Sequence, residues 1–591
     1  MNFAVALKTA CVLLTAWAIA SGHPAAAQEA SERIAPEAGH GLRADVAPPA
    51  TAREFMVVSA NPEASRAGLA ILEKGGNAID AMIAVQVVLG LVEPQSSGLG
   101  GGAFVVYWDQ KTQKLTTLDG RETAPAEATP DLFLDAGGKP LRFFDAVIGG
   151  RSVGTPATVA LLETAHRNYG KLDWASLFEP AIALAERGFE VSPRLNASIG
   201  QSAESLFGYE ATRDYFLSEE AVPLPAGTVL KNPAYAATLR DIAKGGAEAF
   251  YGGEIAQAIV DTVRGAQDNP GRLSMRDMAD YKIVERAPVC VTYRVYEVCG
   301  MGPPSSGALT VGQILKLVEP YDLAALGPDN AQSWRMIGDA SRLAFADRGL
   351  YMADSDFVDM PKGLLNADYL RERAKLLEGA GALPQDAVKP GTPPADHALL
   401  LAPGMTPELP STSHLSIVDG EGNVVSMTTT IENSFGSRLM VRGFLLNNEL
   451  TDFSFLPERD GVPVAIRVEP GKRPRSSMSP SIVFKDGKPV LAIGSPGGSQ
   501  IIGYVAQAII AHLDWGMDVA QAVAMPHLLN RFGPFEVEAD TRAEAFAPAL
   551  EALGYDVAVK DMNSGLHAIA ISTDGLSGGA DPRREGLAVG R

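Results

Sequence analysis

Residues 411–430 read STSHLSIVDGEGNVVSMTTT and decide how the rest of the chain is interpreted. Two runs with alternating apolar side chains flank a turn rich in Gly, Asp and Asn, a pattern typical of a β-hairpin. If the turn is centred on Glu421, the apolar residues lie on one face, because successive side chains of a strand alternate. The predicted pairs are Ile417 with Val425 and Leu415 with Met427.

The other face of the predicted hairpin is polar. The same register sets Thr412 opposite Thr430, and the face is completed by His414, Ser416 and Thr428. A hydroxyl cluster therefore lies at the open end of the hairpin. An ordinary Thr-rich amphipathic strand pair accounts for the pattern without any chemistry, and a reactive site is the alternative.

The run from Thr412 to Asp419 resembles the Thr-Thr-His-Tyr-Ser-Val-Val-Asp signature of the γ-glutamyltransferase (glutathione hydrolase) family. Its members are N-terminal-nucleophile hydrolases that cut their own precursor before the first Thr. The resemblance covers most of the chain, because other matching segments follow in the family's order. They are Glu93 to Gly98, Arg121-Glu122, Pro303 to Gly307, Leu446 to Asn448, Lys472 to Pro480, Gly494 to Ser499 and Asp581 to Arg583.

The resemblance implies an α/β fold, a four-layer αββα N-terminal-nucleophile sandwich in which helices cover two antiparallel sheets. It also implies autoproteolysis between Ser411 and Thr412. Two fragments would then form the sandwich jointly, a large one spanning residues 28–411 and a small one spanning residues 412–591.

The same resemblance assigns the reacting groups. A Thr hydroxyl is a weak nucleophile without a base, and a chain-terminal Thr412 would supply that base through its own α-amine. Thr430 would orient the Thr412 hydroxyl. The backbone N–H groups of Gly497 and Gly498 would form the oxyanion hole. Without the family, Gly494 to Ser499 is a glycine turn between a strand and a helix.

Recognition of a γ-glutamyl donor is also implied by matching positions. Arg121 would bind the α-carboxylate together with Ser476 and Ser477, since a guanidinium binds carboxylates through two parallel bonds. Glu449 and Asp452 would hold the α-ammonium group. Taken without the family, these residues are an ordinary charged side chain and polar loops.

Several positions depart from the family pattern. Glu432 stands where Asn is usual, Thr451 replaces the first of two paired aspartates, and Ser413 and Leu415 replace Thr and Tyr. The connection 453–472 is short beside that of members with a lid over the pocket. These departures leave the acceptor, and the balance of hydrolysis and transfer, open.

The acidic residues predicted at the substrate pocket also indicate which acyl donor the protein uses. A glutaryl-type β-lactam (cephalosporin) acylase of the same fold binds a side chain without an α-ammonium group, so acids in its pocket would repel the substrate carboxylate. The combination of Glu432, Glu449 and Asp452 therefore favours a γ-glutamyl donor. The alternatives are that Glu432 points away and Asn433 takes its place, or that the protein is a secreted binding protein without catalysis.

Residues 1–27 are typical of a secretory leader. They carry Lys8, a short apolar run and Ala25-Ala26-Ala27 before Gln28, which predicts a periplasmic or secreted protein. A buried N-terminal helix is the alternative. No other stretch is long and apolar enough to span a membrane.

The composition of the chain restricts the classes of ligand that we expect it to bind. The formal net charge is −20, and nucleic acids and anionic membranes need basic patches that the sequence lacks, so small-molecule substrates fit better. The Gly98 to Ala103 run follows a predicted helix and precedes a strand, the reverse of a dinucleotide site. We expect no cofactor and no metal. Cys290 and Cys299 flank a predicted turn, and either a disulfide or two free thiols is possible there.

A coarse pass along the chain predicts the scaffold. Residues 28–53 are expected to be a tether, and the Pro-rich residues 385–411 a flexible connection to Thr412. The predicted helices are 62–74, 77–92, 155–169, 174–187, 233–244, 331–351 and 500–512. The predicted strands are 55–60, 103–108, 115–118, 444–447, 481–484 and 489–493.

Overall fold

A computed structural model describes residues 46–394, 400–404, 406 and 411–591. Two seven-stranded sheets pack face to face, and helices cover the outer face of each. The predicted four-layer αββα sandwich is confirmed. The leader lies outside the described residues. Within the described ranges, no helix combines the length and the apolar character needed to cross a membrane.

The first sheet, which we name the hairpin sheet, contains the hairpin predicted from residues 411–430. Its strands pair antiparallel throughout, in the order Leu587–Gly590, Met56–Ser59, Ser413–Val418, Val424–Thr430, Gly102–Asp109, Lys114–Gly120 and Val284–Arg286. Ile417 pairs with Val425 and Leu415 with Met427, so the predicted register is confirmed. These four side chains are buried against the helices that cover this sheet.

The second sheet is also antiparallel. Its strands follow the order Ala50–Ala52, Gly575–Ala580, His567–Ser572, Lys488–Gly494, Ser481–Lys485, Tyr296–Gly300 and Val289–Tyr293. Its inner face meets the hairpin sheet in an apolar layer that includes Met56, Val58, Val106, Ile482 and Phe484. Burial of these faces holds the two sheets together.

Helices form the two outer layers. Those on the hairpin sheet are Pro62–Glu73, Ala78–Val92, Thr158–Tyr169, Glu179–Arg187, Pro193–Phe207, Glu210–Phe216, Pro233–Tyr251, Gly253–Arg264 and Met275–Asp280. Those on the second sheet are Gly307–Val318, Leu323–Leu326, Ala331–Tyr351, Ala367–Ala374, Ile501–Leu513, Val519–Ala524 and Ala547–Ala552. Phe143–Val147 belongs to a smaller cluster beside the cleft described below.

Short elements complete the chain. The 3₁₀ turns are Gly150–Ser152, Trp174–Leu177, Lys362–Leu365, Lys375–Leu377, Gln385–Ala387, Glu449–Asp452, Gly498–Gln500 and Arg542–Phe546. Three two-stranded pairs are Phe189–Glu190 with Val229–Leu230, Met440–Val441 with Phe444–Leu445, and Glu458–Arg459 with Val462–Pro463. Leu528–Leu529, Phe535–Glu538 and Val557–Lys560 form a three-stranded sheet.

Both large sheets mix strands from the two sides of Thr412. In the hairpin sheet, Ser413–Val418 and Val424–Thr430 lie between Met56–Ser59 and Gly102–Asp109. In the second sheet, strands from the C-terminal part are flanked at both edges by strands from the N-terminal part. Each fragment predicted from residues 28–411 and 412–591 therefore lacks the hydrogen-bonding partners of its own strands.

Two predicted linkers are ordered where the structure describes them. Ala50–Ala52 is an edge strand paired with Gly575–Ala580, so the predicted tether is wrong there. In the connection before Thr412, Ala402 is buried, and its N–H donates to the Pro463 carbonyl at 2.9 Å. That part of the connection is therefore packed against the hairpin 458–463 rather than loose.

Other boundaries differ for local reasons. The predicted helix 233–244 is followed, across a kink at Gly246 with a φ of 65°, by a second helical segment that ends at Tyr251. The predicted helix 174–187 is a 3₁₀ turn followed by a helix with Pro180 in its first turn. The strand predicted over 444–447 ends at Leu445. Cys290 and Cys299 face each other on adjacent strands and form a disulfide, as one of the two alternatives predicted.

Candidate active site

The open end of the hairpin forms one wall of a small cleft. Thr412 precedes the first strand, Thr430 ends the second, and the turn after Lys488–Gly494 closes the opposite side. The cleft is small, and all the predicted site residues except Gly497 and Ser411 line it. They are Arg121, Thr412, Thr430, Glu432, Glu449, Asp452, Ser476, Ser477 and Gly498, joined by Met478 and Ile501.

The bond before Thr412 lies within reach of its own hydroxyl. Thr412 Oγ1 donates to the Ser411 carbonyl oxygen at 2.5 Å and lies 3.2 Å from Thr430 Oγ1. Thr430 Oγ1 also donates to the Ser411 carbonyl oxygen, at 2.8 Å. Two hydroxyl groups therefore converge on one carbonyl, an arrangement that can supply both a nucleophile and a stabilising donor.

Backbone and side-chain contacts fix the chain around this carbonyl. The Glu432 N–H donates to Thr430 Oγ1 at 2.9 Å, which leaves the Thr430 proton directed at Ser411. Ser411 Oγ donates to the Gln95 carbonyl at 2.6 Å, and Arg584 Nη1 donates to the Thr412 carbonyl at 2.9 Å. These contacts come from distant parts of the sequence and hold Ser411 and Thr412 in place.

The glycine turn can present backbone donors to the cleft. Gly497 has a φ of 132° and Gly498 a φ of 55°, conformations that L side chains rarely adopt. A Cβ on Gly497 would lie 2.6 Å from the Tyr504 ring. The turn leads into Gly498–Gln500 and then Ile501–Leu513, so its N–H groups lie at the positive end of a helix.

Arg121 is a buried cation between two acids. Its Nη1 donates to Glu449, and its Nη2 donates to Asp452 at 2.5 Å. Nε and Nη2 also donate to the carbonyls of Pro474 and Arg475. Burial opposes the charge, but the carboxylates of Glu449 and Asp452 outweigh it and raise the pKa of Arg121. The planar group is thereby held rigidly at the cleft wall.

Glu122 brings a further acid to the same cluster. Burial raises the pKa of Glu122 to about 7 and that of Glu449 well above its usual range, against the attraction of Arg121. Both Glu122 oxygens and Glu449 Oε2 have no hydrogen-bond partner among the described residues. A cation bound beside this cluster would therefore stabilise the charged form of its carboxyl groups.

The two predicted serines are held by the segment 303–307. Ser306 N–H and Oγ both donate to the Ser476 carbonyl, at 2.8 and 2.7 Å, and Ser476 N–H donates to the Pro304 carbonyl. Arg348 Nη2 donates to Ser477 Oγ at 2.7 Å. This explains why a turn far away in the sequence bears on the site.

Glu432 lines the cleft, whereas its neighbour Asn433 accepts a hydrogen bond from Arg438 Nη2 at 2.8 Å. The alternative in which Asn433 replaces Glu432 at the cleft does not match this placement. The short connection 453–472 forms the hairpin Glu458–Arg459 and Val462–Pro463, and none of its residues lines the cleft.

The chain is similar in sequence to known proteins. The Gamma-glutamyltranspeptidase family model matches residues 64–591. The chain belongs to the gamma-glutamyltranspeptidase family. The glutathione hydrolase proenzyme of Bacillus subtilis (strain 168) is 38% identical over 553 residues, which cover 91% of this chain and 92% of that protein. The glutathione hydrolase proenzyme of Escherichia coli (strain K12) is 37% identical over 566 residues, 93% of this chain and 94% of that protein.

Solved structures agree with the family assignment. The crystal structure of cephalosporin acylase from Bacillus halodurans matches with a TM-score of 0.79 at 27% identity, covering 92% of this chain and 97% of that chain. The predicted family and N-terminal-nucleophile fold are confirmed, and the gamma-glutamyltranspeptidase family is a family of enzymes.

Sequence reasoning missed several residues that contact the gamma-glutamyltranspeptidase site. The sequence identifies Glu122 only as part of a matching dipeptide and does not single out Arg348 or Arg584. The helix Ala331–Tyr351 buries Arg335, Arg342 and Arg348, although arginines are mostly exposed, so the role of Arg348 is visible only in the structure. No local pattern pointed to Arg584.

Proposed function

We propose that this chain is a proenzyme that cleaves itself between Ser411 and Thr412 and then acts as a γ-glutamyl hydrolase and transferase on glutathione and related γ-glutamyl compounds. The observation that carries the proposal is the position of the Thr412 hydroxyl, 2.5 Å from the Ser411 carbonyl oxygen and in one cleft with Arg121. Its family membership supports the same activity.

Self-cleavage is an N-to-O acyl shift. Thr412 Oγ1 attacks the Ser411 carbonyl carbon, the C–N bond breaks, and the Thr412 nitrogen takes up the hydroxyl proton. The Thr430 hydroxyl stabilises the oxyanion that forms on Ser411. Water then hydrolyses the ester, which leaves a carboxylate on Ser411 and a free amine and hydroxyl on Thr412.

The mature site repeats the chemistry on a substrate. The new α-amine accepts the proton of Thr412 Oγ1, which attacks the γ-glutamyl carbonyl carbon. The N–H groups of Gly497 and Gly498 stabilise the oxyanion, and the departing amine takes the proton. Water then hydrolyses the γ-glutamyl ester, or an acceptor amine takes the acyl group.

The cleft wall selects the γ-glutamyl group. Arg121, with Ser476 and Ser477, binds the α-carboxylate, and Glu449 and Asp452 bind the α-ammonium group. The positive charge of the ammonium group favours the ionised form of these buried acids. A glutaryl donor has no such cation, so these acids favour the γ-glutamyl compound, although one structural relative is a cephalosporin acylase.

We also propose that the protein is exported. A leader over residues 1–27 would send the protein to the periplasm or the medium, where γ-glutamyl compounds are external substrates. The large and small fragments then remain associated through their mixed sheets.

A gel and an amidase assay test the proposal together. We expect purified wild-type protein to give two bands under denaturing conditions and to hydrolyse γ-glutamyl-p-nitroanilide. Thr412→Ala should give one uncut band and no activity, while Thr412→Ser, which keeps a hydroxyl, should still be cut. An uncut and inactive wild-type chain would contradict the proposal and favour the alternative of a binding protein with this fold.

A further inference from the structure

A second cavity, which we name the Arg438 cavity, is separate from the cleft that holds Thr412. It has a volume of about 990 Å³, within the range of small-molecule sites, and shares no lining residue with that cleft. The reaction proposed above does not use it. Its lining comes from Phe144 and Ile148, from residues 438–440, and from the helices Pro193–Phe207, Glu210–Phe216 and Gly253–Arg264 with the turn that follows them.

Arg438 is a buried cation in the lining of this cavity. It is only 2% exposed, and within the described ranges no carboxylate lies at ion-pair distance from its guanidinium. Its Nε donates to Ser205 Oγ at 3.3 Å, its Nη2 to Asn433 Oδ1 at 2.8 Å, and its Nη1 to the Gly436 carbonyl. A guanidinium has five N–H groups, so two of them have no acceptor in the part of the chain that the structure describes.

The charge of Arg438 is retained despite its burial. Burial lowers the pKa of Arg438 to about 10, while the attraction of Glu432 and Tyr209 raises it, so the group stays charged at neutral pH. A buried charge without a counter-ion is costly, because it has lost water and gained no partner. An anion bound in the cavity would offset that cost.

Ser202 adds an unused hydroxyl beside this cation. It is 4% exposed and lines the cavity, and its Oγ has no hydrogen-bond partner among the residues that the structure describes. Ser205 lies three residues further along the same helix face and accepts from Arg438, which brings Ser202 close to the guanidinium. Buried hydroxyl groups nearly always have a partner. The buried part of the lining, which we call the floor, therefore offers the N–H and O–H donors that bind a carboxylate.

The exposed part of the lining, which we call the rim, is acidic. Arg213 also lies there, but its Nε pairs with Asp214 at 3.0 Å. Burial and Asp268 raise the pKa of Tyr209, whereas Arg438 lowers it, so this side chain lies within electrostatic reach of both rim and floor. An acidic rim attracts a cation and repels phosphates and other polyanions. The acids of the rim are Glu204, Glu210, Asp261 and Asp268.

We propose that the Arg438 cavity binds a zwitterionic amino acid or short peptide, with its carboxylate on Arg438 and Ser202 and its ammonium group at the acidic rim. Phe144, Ile148 and Met440 offer apolar surface to the atoms between the two charges. A tripeptide, which spans at most about 10 Å, is small enough for the cavity. The inference goes beyond the proposed activity and does not depend on it, since none of these residues lines the Thr412 cleft.

Calorimetric titration of triglycine into the Thr412→Ala protein tests the inference, because this variant cannot form an acyl-enzyme. We expect saturable binding of one molecule per chain. N-acetyltriglycine, which lacks the ammonium group, and triglycine amide, which lacks the carboxylate, should each bind about tenfold more weakly. Inorganic phosphate should not compete. Absence of triglycine binding, equal affinities of the three peptides, or competition by phosphate would overturn the inference.

Variants in the same background locate the bound peptide. Arg438→Gln should weaken triglycine binding by about tenfold or more. Arg442→Gln is the matched control, because Arg442 does not line the cavity and pairs with Asp241 at 2.9 Å, so its affinity should be unchanged. Parental affinity in Arg438→Gln would place the peptide elsewhere and overturn the site.

A second variant covers the case in which Arg438→Gln does not fold, as judged by near-UV circular dichroism. Ser202→Ala removes a hydroxyl that has no partner among the described residues, so it should fold as its parent does. We expect it to lower the affinity for triglycine several-fold, since the carboxylate loses one donor. A folded Ser202→Ala protein with parental affinity would contradict the placement of the carboxylate at the floor.

Discussion

The Thr430 hydroxyl donates a hydrogen bond to the carbonyl oxygen of Ser411 at 2.8 Å, and it accepts a hydrogen bond from the Glu432 N–H. Thr430 thus contacts the bond before Thr412 while that bond is still intact. In the proposed mechanism it takes part in self-cleavage as well as lining the mature cleft.

Thr430→Val should therefore slow self-cleavage more than it disturbs folding. Valine keeps the shape of the side chain and removes the donor, so we expect a loss of about 10²- to 10³-fold in the cleavage rate. The measurement is the time course of the two bands after purification. Thr430→Ser, which restores the hydroxyl, should cut at nearly the wild-type rate, and rapid cutting of Thr430→Val would contradict the assignment.

Gly497→Ala should damage catalysis through the glycine turn. Its Cβ would meet Tyr504 at 2.6 Å and the backbone has a φ of 132°, so the turn must shift and its N–H groups leave their positions. We expect kcat for γ-glutamyl-p-nitroanilide to fall by about 10²-fold or more. Gly487→Ala is the matched control, because Gly487 also has a positive φ, of 73°, but a Cβ there meets nothing within 4 Å. Equal losses in kcat would refute the argument.

Glu122 should make stability depend on pH. Burial raises the pKa of Glu122 from 4.5 to about 7, so between these values the folded chain keeps a proton that the unfolded chain has released. The free energy of unfolding should therefore fall as the pH rises through this window, by about 3 kcal/mol at most, and level off above it.

Urea unfolding in the Thr412→Ala background, which keeps one chain, measures this effect. Glu122→Gln should remove this part of the pH dependence, while Glu285→Gln at an exposed position should retain it. Parallel curves for the Glu122 variant and its parent between pH 5 and pH 8 would show that Glu122 does not titrate in this range.

The disulfide between Cys290 and Cys299 should stabilise the edge of the second sheet. For so short a loop, we expect replacement of both residues by Ser to lower the free energy of unfolding by about 2–3 kcal/mol. Wild-type protein treated with reductant should lose the same amount, and the double variant should not respond to reductant. Mass spectrometry that finds free thiols in untreated protein would contradict the bond.

The strongest prediction from sequence was the hairpin register, because alternation leaves only one way to bury Leu415 and Ile417. The helix Ala331–Tyr351 was also predicted with its observed bounds, and in the structure the Asn330 side chain caps it by accepting the Gln332 N–H. By contrast, Ala50–Ala52 has almost no strand propensity. It pairs because the backbone of Gly575–Ala580 is available beside it, which is a tertiary effect.

The candidate site likewise contains residues that the sequence could identify and residues that only the structure reveals. Residues that share a motif, such as Ser476 and Ser477, could be found by resemblance, and the structure brings them to one cleft. Arg348 and Arg584 contact residues of that cleft, Ser477 and Thr412, across sequence separations of 129 and 172 residues. Neither periodicity nor composition encodes such proximity, so only the folded chain reveals it.

The mixed strand order gives the precursor and the cut protein different folding problems. An intact chain finds its partners by an intramolecular search, whose rate is independent of concentration. After the bond between Ser411 and Thr412 is cut, the strand Ser413–Val418 and its neighbours belong to a separate fragment. An unfolded large fragment must therefore bind a small fragment to refold, and the rate of reassembly depends on the concentrations of both. The lifetime of the folded, cut enzyme would then be set by its slow rate of unfolding rather than by a reversible folding equilibrium. Each molecule would in practice fold only once.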